Sequence, residues 1–476
     1  MQNKKNSFCT KLIPLAFCIS ILYWIYLWFS SNMIIRYDSV GYENLASMIN
    51  KNGWVEYFRT GPNREPIYPW ILAGSMRLAD FLGISYQPIQ KFIQVIFLFV
   101  TQILVFRILK KIGAKEKIIA LTILYLGFSP ALVNSAFSLY SEIVTYPLLL
   151  GIILLSIKSW ETITRYDGLP NVVPAALGLG ILFILITSVK AIFELIIPLF
   201  LLSYVYLAID SAIKGKRKVF VNSVFFISIV VLLFQGWLYT YKSINLKYNG
   251  HFVTTDRGPW AIYGNAARRT QDLKFKDYLA ALAYVAGENV CLNIFGKDAW
   301  VFWSFRSSDA FGYTKRGQLS NEGIPENQIA SKLIHLTIQK ILEKPWAYGL
   351  LMTIEGLKIF FWESTKIGYV EYPSWLQRLF DLTLFKNGLR LSIFLISFAS
   401  FWYLLWRTLK APKNIFSFSE DCENPFCLSF FILTLLTSYI GIHSFFFILP
   451  RYALPVAPLF LVLIAFSCEL IFKKFK

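Results

Sequence analysis

Charged side chains are scarce in this chain, and their scarcity is the first limit on what it can be. Only 16% of the 476 residues are Asp, Glu, Lys or Arg, whereas 56% are hydrophobic. Soluble domains carry about 25% charged residues, so a chain built only of soluble domains is excluded. The composition is typical of an integral membrane protein that contacts the lipid bilayer over much of its length.

Acidic residues are scarcer still than basic ones. The chain holds 28 Asp and Glu against 47 Lys and Arg, which gives a formal net charge of +19. In a membrane protein such an excess marks cytoplasmic loops and contacts with anionic lipid heads. Nucleic acid is the other common partner of a basic chain, but no basic stripe lies on a polar domain, so we expect no nucleic acid.

Paired cysteines and clustered metal ligands are also missing. The six cysteines are scattered, and Cys422 and Cys427 lack the second pair that a zinc site would need. We therefore expect no disulfide framework, no metal and no other cofactor. The basic N-terminus and the apolar stretch 12–30 resemble a signal peptide, but the stretch is too long and no small-residue cleavage site follows. It predicts a retained first span.

What the sequence has instead is long apolar runs. About 20 such residues cross a bilayer. The runs of this length are 12–31, 90–109, 117–135, 139–157, 171–189, 191–209, 219–241, 389–409, 426–447 and 452–472. Two further runs, 67–84 and 345–363, contain charged residues, each of which costs about 3 kcal/mol at mid-membrane. Either of these two runs could therefore lie in the interface instead.

The placement of lysines favours one topology. Lysine groups at 110–117, 214–218 and 473–476 all belong on the cytoplasmic side by the positive-inside rule. They reach it together only if 67–84 and 345–363 do not cross, which gives ten spans; eleven result if 345–363 crosses. The predicted fold is an all-α integral membrane protein of about 10–11 transmembrane helices, with outer juxtamembrane helices.

This topology divides the chain into three parts. We expect a seven-span catalytic module, then an outward-facing polar segment with an interfacial or membrane helix at 345–363, and last the C-terminal transmembrane helices. The predicted bounds are 1–242 with a first outer loop at 32–89, then 243–388, then 389–476.

The first outer loop holds the first candidate site residues. Asp38 lies a few residues beyond the first span and suits either of two roles: the N-cap of a short helix, or a general base toward an acceptor hydroxyl or amine. Arg64 and Glu65 precede Pro66 at the start of an apolar helix. Arg64 would there meet a phosphate near a positive helix end, or simply anchor the chain in the interface.

Further ionisable residues fall on the same side of the predicted membrane. Glu142 begins a span, and Lys190 lies in a tight turn with Glu194 four residues on. Ionisable groups at span depth are functional candidates, although Lys190 and Glu194 could instead satisfy each other as an i,i+4 pair. Arg451 begins the last span, where its planar fork suits phosphate or an interfacial anchor.

Taken in chain order, these residues resemble the GT-C glycosyltransferases that use polyprenyl-phosphate sugars, such as the protein O-mannosyltransferases and the lipid A aminoarabinose transferases. The matching pieces are Tyr37-Asp38-Ser39 with Tyr42, Arg64-Glu65-Pro66-Ile67-Tyr68-Pro69, Ser141-Glu142, Thr187-Ser188-Val189-Lys190 and Arg451-Tyr452-Ala453-Leu454-Pro455. Each piece is short, and it is their order and spacing over most of the chain that make the match moderately specific.

The resemblance implies a role for each matching residue. It implies a catalytic acid at Asp38, and cations that hold the donor's lipid phosphate at Arg64, Lys190 and Arg451, the last with Tyr452 beside it. Relatives often carry two adjacent acids in the first loop, whereas Ser39 follows Asp38 here, so the second acid would be Glu43, Glu65 or Glu142. Tyr42, Tyr68 and Glu194 are the remaining substrate-binding candidates.

We expect a membrane glycosyltransferase that moves a hexose or pentose from a polyprenyl-phosphate donor to a lipid, glycan or protein acceptor. Its site would face outward, at the extracytoplasmic side of a bacterial inner (plasma) membrane. A transporter or flippase of lipid-linked saccharides, and a polymerase or ligase with a different helical fold, are the alternatives. A transporter should show inverted repeats and broken helices near mid-membrane, and the sequence shows neither.

Overall fold

The chain is almost entirely helical, as its computed structural model shows. The structure describes residues 11–165, 169–255, 258–365, 369–410 and 425–474. Cys422 and the basic N-terminus, which entered the predictions above, lie outside these ranges. Within them the strands are two residues long each, β1 (Asn32–Met33) and β2 (Val370–Glu371), and they pair antiparallel. The all-α membrane fold predicted from composition and apolar runs is confirmed.

The helices are described in chain order in three parts, although two of them, Arg217–Asn249 and Thr383–Lys410, cross the boundaries predicted at 242/243 and 388/389. Those of the first part are α1 (Leu12–Ser30), α2 (Asp38–Arg59), α3 (Ile67–Leu82), α4 (Tyr86–Lys111), α5 (Glu116–Phe128), α6 (Pro130–Phe137), α7 (Glu142–Thr164), α8 (Leu169–Val189), α9 (Phe193–Ile213) and α10 (Arg217–Asn249). Those of the polar segment are α11 (Gly258–Arg269), α12 (Phe275–Ala286), α13 (Glu288–Trp303), α14 (Phe305–Asn321), α15 (Glu326–Glu343), α16 (Pro345–Gly356) and α17 (Ser374–Asp381). The last part holds α18 (Thr383–Lys410), α19 (Pro425–His443) and α20 (Ala457–Lys474), and 3-10 turns occupy Leu357–Phe360 and Pro450–Val456.

Every predicted span coincides with helical structure. Among the described residues, 8 helices are long and apolar enough to cross a membrane, or 9 if α5 and α6 count as one span bent by 48°. The predicted span 426–447 corresponds to a shorter apolar helix, Cys427–His443. The two doubtful runs, 67–84 and 345–363, form α3 with 16 residues and α16 with 12. Both are shorter than the roughly 20 residues that a span needs.

At the C-terminal end of the first span, a buried lysine donates hydrogen bonds to carbonyl groups of the chain. Lys91 on α4 donates from Nζ to the carbonyl oxygens of Trp28 and Ser31, each at 2.8 Å. A cation at a helix C-terminus satisfies carbonyls that have no partner within the helix. This contact fixes α4 beside the end of α1, and therefore beside the start of the first loop.

Two polar contacts at the other end of the bundle show which helix ends lie on the same side. Lys111 at the end of α4 pairs with Glu161 near the end of α7 at 2.7 Å. The backbone N–H of Lys115 donates to Glu469 near the end of α20 at 2.9 Å. The lysine-rich α4–α5 turn and the C-terminal helix end therefore lie on one side of the bundle.

The first loop forms two helices that pack on each other. α2 contains a break at Gly53, whose φ of 77° and ψ of −174° interrupt the helix; the sequence Asn52-Gly53 predicts a helix end there. α3 is tied to α2 through Asn50, which accepts from Arg77 Nε at 3.2 Å and donates to Asp80 at 3.0 Å. The charges that made 67–84 doubtful as a span thus serve contacts between two loop helices.

A buried carboxylate organises the bend between α5 and α6. Glu363 accepts hydrogen bonds from the hydroxyls of Tyr125 and Ser129, each at 2.6 Å, and from the N–H of Ala131 at 2.9 Å. Ser129 caps α6, and a carboxylate is favourable near a helix N-terminus because free N–H groups and the helix dipole meet there. The polar segment is in this way attached to the first module.

The polar segment has small apolar cores of its own. One contains Ala280, Tyr284, Trp303 and Leu351 together with Phe447 from the C-terminal part. A second is built on α11, α14 and α15. On α15 the residues that join this core are Ile329 and Leu333, whereas Ile334, Ile338 and Leu342 on the same helix are exposed. The segment is therefore folded rather than a linker.

Candidate functional site

Asp38 is the first residue of α2, and it does not cap that helix. The N-cap position belongs to Tyr37, whose side chain makes no capping hydrogen bond. The interpretation of Asp38 as an N-cap is therefore wrong. Tyr37 has φ 51° and ψ −116°, a conformation that costs a residue with a side chain about 1–3 kcal/mol and that tends to occur at functional sites. The strained residue turns the chain so that Asp38 faces inward from the loop.

Two arginines from distant parts of the chain hold the Asp38 carboxylate. Arg64 forms an ion pair with one oxygen and Arg451 with the other. Burial by itself raises the pKa of Asp38, but the two guanidinium groups outweigh it and hold the pKa at about 2. The low pKa keeps the carboxylate ionised at neutral pH, and because its side chain is 21% exposed a substrate can reach it.

Aromatic side chains line the Arg64 side of this group. The guanidinium of Arg64 lies 4.7 Å from the centre of the Tyr42 ring, a cation–π distance. The Tyr42 hydroxyl contacts the Ser141 hydroxyl at 2.9 Å, and its ring meets that of Tyr68 edge to face. Tyr68 donates to the buried Gln94 at 2.7 Å. Tyr42 and Tyr68 thus connect the first loop to α4 and to the segment before α7.

Glu142 and Lys190 pair with each other beside this group. Their side chains lie 2.9 Å apart, and the Glu142 side chain is only 2% exposed. Burial lowers the pKa of Lys190, but the neighbouring Glu142 carboxylate more than compensates, and the net shift is upward. The alternative in which Lys190 pairs with Glu194 is wrong, because Lys190 pairs with Glu142 and Glu194 pairs with Lys242.

Glu65 connects the first loop to the α8–α9 turn that carries Lys190. Its carboxylate accepts the backbone N–H of Ala191 at 2.7 Å. The preceding residue, Arg64, is anchored through its carbonyl oxygen, which accepts from the Tyr57 hydroxyl. The Arg64-Glu65 pair is therefore held on both sides, with the arginine directed to Asp38 and the carboxylate to the α8–α9 turn.

Glu194 faces elsewhere. Its two carboxylate oxygens contact Lys242 on α10 and the Thr254 hydroxyl, the latter at 2.8 Å. These contacts lead from the cluster toward the start of the polar segment. The structure brings together the other predicted residues, which are Asp38, Tyr42, Arg64, Glu65, Tyr68, Glu142, Lys190, Arg451 and Tyr452.

Several buried polar atoms in the cluster have no protein partner among the described residues. They are Oε2 of Glu142, Nε of Arg451 and both ring nitrogens of His443. His443 is 7% exposed, and its ring lies 4.3 Å from that of Tyr439 and 5.5 Å from that of Tyr452. Buried polar groups without partners are costly unless something else satisfies them, which makes this the place to expect a polar ligand.

The sequence did not single out three aromatic or basic residues that the structure adds. Tyr140 lies under Arg451, with 5.8 Å between the guanidinium and the ring centre, and Tyr369 lies between Tyr140 and Tyr37. His443 ends α19 at the same place. Tyr140 was visible as the neighbour of Ser141-Glu142. Tyr369 and His443 gave no signal, because only the fold places them beside the first loop.

No metal-binding group is visible in this cluster. Across 11–165, 169–255, 258–365, 369–410 and 425–474, no three His, Cys, Asp or Glu side chains lie together as a metal would require. Independence of metal stays a prediction for experiment.

Known proteins were compared with this chain in three ways. No family model matches it, and no curated protein matches it. Two solved structures of the archaeal oligosaccharyltransferase AglB from Archaeoglobus fulgidus are similar to it. One is a complex with an inhibitory peptide and a dolichol-phosphate, and the other is tethered to an acceptor peptide containing the NVT sequon through a disulfide bond.

The similarity to these structures is broad and remote. Each has a TM-score of 0.48 and 14% identity, over 99% of this chain for the first and 100% for the second. The matched region is 51% of either neighbour, so the chain spans about half the length of the oligosaccharyltransferases that it is similar to.

Proposed function

We propose that this chain is a membrane glycosyltransferase that transfers a sugar from a polyprenyl-phosphate donor to an acceptor at the extracytoplasmic face of a bacterial inner (plasma) membrane. The observation that carries the proposal is the Asp38 carboxylate between Arg64 and Arg451, with the Glu142–Lys190 pair alongside. An acid–base group surrounded by cations at the end of apolar helices suits a substrate with a lipid tail and a phosphate head. The lysine-rich turns lie at the opposite end of the bundle, which supports an outward site.

The transfer needs two kinds of side chain, and this cluster offers both. An acceptor hydroxyl or amine attacks the anomeric carbon of the sugar, and its proton passes to Asp38. The bond between that carbon and the phosphate oxygen breaks, and the electron pair stays on the phosphate, which gains a negative charge. Arg64, Arg451 and Lys190 stabilise this growing charge, an electrostatic effect that is often the largest single contribution to catalysis.

In the resting arrangement Asp38 is a weak base, because its pKa is about 2 and a general base works best with a pKa near the working pH. A donor phosphate competes with Asp38 for the guanidinium groups of Arg64 and Arg451. As these groups turn to the phosphate, the carboxylate loses neighbouring positive charge and its pKa rises. Binding of the donor therefore prepares the base, and the free enzyme keeps it inactive.

Release of the free lipid phosphate tests the proposed function. Purified protein is incubated with a panel of polyprenyl monophosphates that carry different hexoses, pentoses and amino sugars, with and without candidate lipid, glycan and peptide acceptors. We expect release from at least one donor, stimulated by one class of acceptor. A protein that binds these donors but never breaks the bond would contradict the proposal.

A flippase is the alternative that this experiment separates. Such a protein would move the intact donor between leaflets of a vesicle and release no lipid phosphate. The position of the cluster disfavours it, because Asp38, Lys190 and Arg451 lie at the ends of helices, whereas transporter sites lie near mid-membrane at broken helices.

A further inference from the structure

A second cluster of charges lies in the polar segment, and it is fully buried. Arg268 and Arg269 end α11, and Glu355 lies near the end of α16. The Glu355 carboxylate pairs with both guanidinium groups, one on each oxygen, and the side-chain exposures are 0%, 0% and 3%. Lys358, 5% exposed, lies two residues after α16, and burial lowers the pKa of its ammonium group to about 7.

Two guanidinium groups share the one carboxylate, and aromatic rings supply the rest of their surroundings. Arg268 lies 5.0 Å from the ring centre of Trp303, and Arg269 lies 5.2 Å from that of Tyr348. Such rings attract cations through their negative faces. The two guanidinium groups keep the pKa of Glu355 at about 2 although burial alone raises it. The carboxylate therefore remains ionised and holds the arginines in place.

α11 forms contacts with the backbone segment that precedes Arg451. Arg269 donates from Nη1 to the carbonyl oxygen of Ser444 at 2.7 Å, and Asn265 from the same helix donates to that of Phe445 at 3.3 Å. The ring of Phe447 lies 5.1 Å from the Arg268 guanidinium. Three residues of one short connection are thus held by α11.

α16 also packs closely on this segment, at Gly356. A β-carbon at Gly356 would lie 2.8 Å from the Ser444 hydroxyl oxygen, a distance that real β-carbons do not reach. The glycine therefore lets α16 approach the connection directly. Residues 444–449 run from His443 at the end of α19 to the turn that begins at Pro450 and carries Arg451.

We propose that the buried cluster of Arg268, Arg269 and Glu355 is a positioning device, which fixes residues 444–449 and so keeps Arg451 within reach of the donor phosphate. This inference rests on the proposed function, since it assigns Arg451 to the donor phosphate. Arg268, Arg269 and Glu355 do not themselves touch the substrate; they act through Arg451. The polar segment is then part of donor recognition rather than a separate outer domain.

A double-mutant cycle with Arg451 tests the inference, because residues that act through a shared partner are not additive. Affinity for a polyprenyl monophosphate without sugar is measured for the full chain, for Arg269→Gln, for Arg451→Ala and for the double variant. We expect Arg269→Gln to weaken binding about ten-fold, the effect of losing about 1.4 kcal/mol. In the Arg451→Ala background the same change should alter affinity less than about two-fold.

Two further variants keep the test decisive. If Arg269→Gln does not fold, Gly356→Val takes its place, because the added side chain displaces Ser444 without removing a charge. It should weaken binding of the lipid phosphate when Arg451 is present and leave it nearly unchanged in the Arg451→Ala background. Lys344→Gln is the control, because Lys344 pairs with the exposed Asp272 on the same segment and should leave affinity unchanged.

The outcomes separate the two proposals. An equal loss in both backgrounds, or no loss in folded Arg269→Gln and Gly356→Val, would overturn the positioning role. If Arg451→Ala alone leaves binding of the lipid phosphate unchanged, the assignment of Arg451 to the donor phosphate fails instead, and with it the phosphate site of the proposed function.

Discussion

The ionisation of Asp38 depends on two arginines that lie elsewhere in the chain. Arg64 follows it within the first loop, but Arg451 comes from the turn before the last helix. The sequence places all three on the outer side of one topology, and this much can be predicted from charge patterning. That both arginines meet the same carboxylate follows only from the packing of α20 beside α7 and α18, which no local pattern encodes.

Removing either arginine should weaken binding of the donor. Each guanidinium would contribute a charge-assisted hydrogen bond to phosphate, and such bonds contribute about 1.5–3 kcal/mol. Arg64→Ala and Arg451→Ala should therefore each raise the Kd for a polyprenyl-phosphate sugar by roughly ten-fold or more. Isothermal titration or ligand-dependent fluorescence would measure this.

Arg59→Ala is the matched control, because Arg59 lies on the same loop with a side chain 64% exposed and pairs only with Glu56 among its described contacts. It should bind the donor as the unchanged protein does. Equal affinity of all three variants would mean that Arg64 and Arg451 are interfacial anchors.

The pH dependence of transfer should differ between free and bound enzyme. Asp38 must be ionised to act, and in the free enzyme it stays ionised above a pKa of about 2. The profile of kcat/KM, which reports free enzyme, should show no acid limb from Asp38 between pH 5 and 8.

The profile of kcat reports the enzyme with bound donor. There the guanidinium groups have turned to the phosphate, the Asp38 pKa is higher, and activity should fall as pH drops from neutral. An identical acid limb in both profiles would contradict the exchange of arginines between Asp38 and the donor.

At the scale of elements, apolar runs predicted the helices well and their ends less well. Hydrophobicity marks which residues enter the membrane, but a helix ends where its last carbonyls or first N–H groups find other partners. The predicted span 426–447 stops at His443 because residues 444–449 are bound by Asn265 and Arg269 of α11. Those partners lie in another part of the chain.

The bend between α5 and α6 should depend on Glu363. Glutamine at this position would place an amide group where the carboxylate accepts from Tyr125, Ser129 and Ala131. At least one buried partner would lose its acceptor, at a cost of about 1–3 kcal/mol. Glu363→Gln should therefore lower the melting temperature of the purified protein.

The control for this change is Glu371→Gln, because Glu371 is exposed and accepts only from the Asn32 amide at 3.1 Å among its described side-chain contacts. Its melting temperature should stay close to that of the unchanged protein. An unaltered melting temperature in Glu363→Gln would show that the carboxylate is dispensable for the bend.

The whole molecule has a predicted sidedness, with the cluster outside and the lysine-rich turns inside. Single cysteines at Lys110 and Lys214 should react with an impermeant thiol reagent only from the cytoplasmic side, in a background that lacks the six native cysteines. Gly113 and Gly215 are unsuitable positions, because their φ values of 65° and 68° disfavour a side chain.

A cysteine at the exposed Glu322 of the polar segment serves as the opposite control and should react from outside. Labelling of position 110 or 214 from outside would overturn the ten-span topology. It would also remove the outward position of the site on which a lipid-linked donor depends.

The central claim, that Asp38 is the base of a sugar transfer, is tested most directly by Asp38→Asn. Donor turnover and donor affinity are measured on the same preparation, with its melting temperature. Asparagine cannot take the proton, so turnover should fall by about 10²–10⁴. It also no longer competes for Arg64 and Arg451, so donor affinity should be equal or tighter. Near-normal turnover in a folded Asp38→Asn protein would contradict the account and move the base to Glu65 or Glu142.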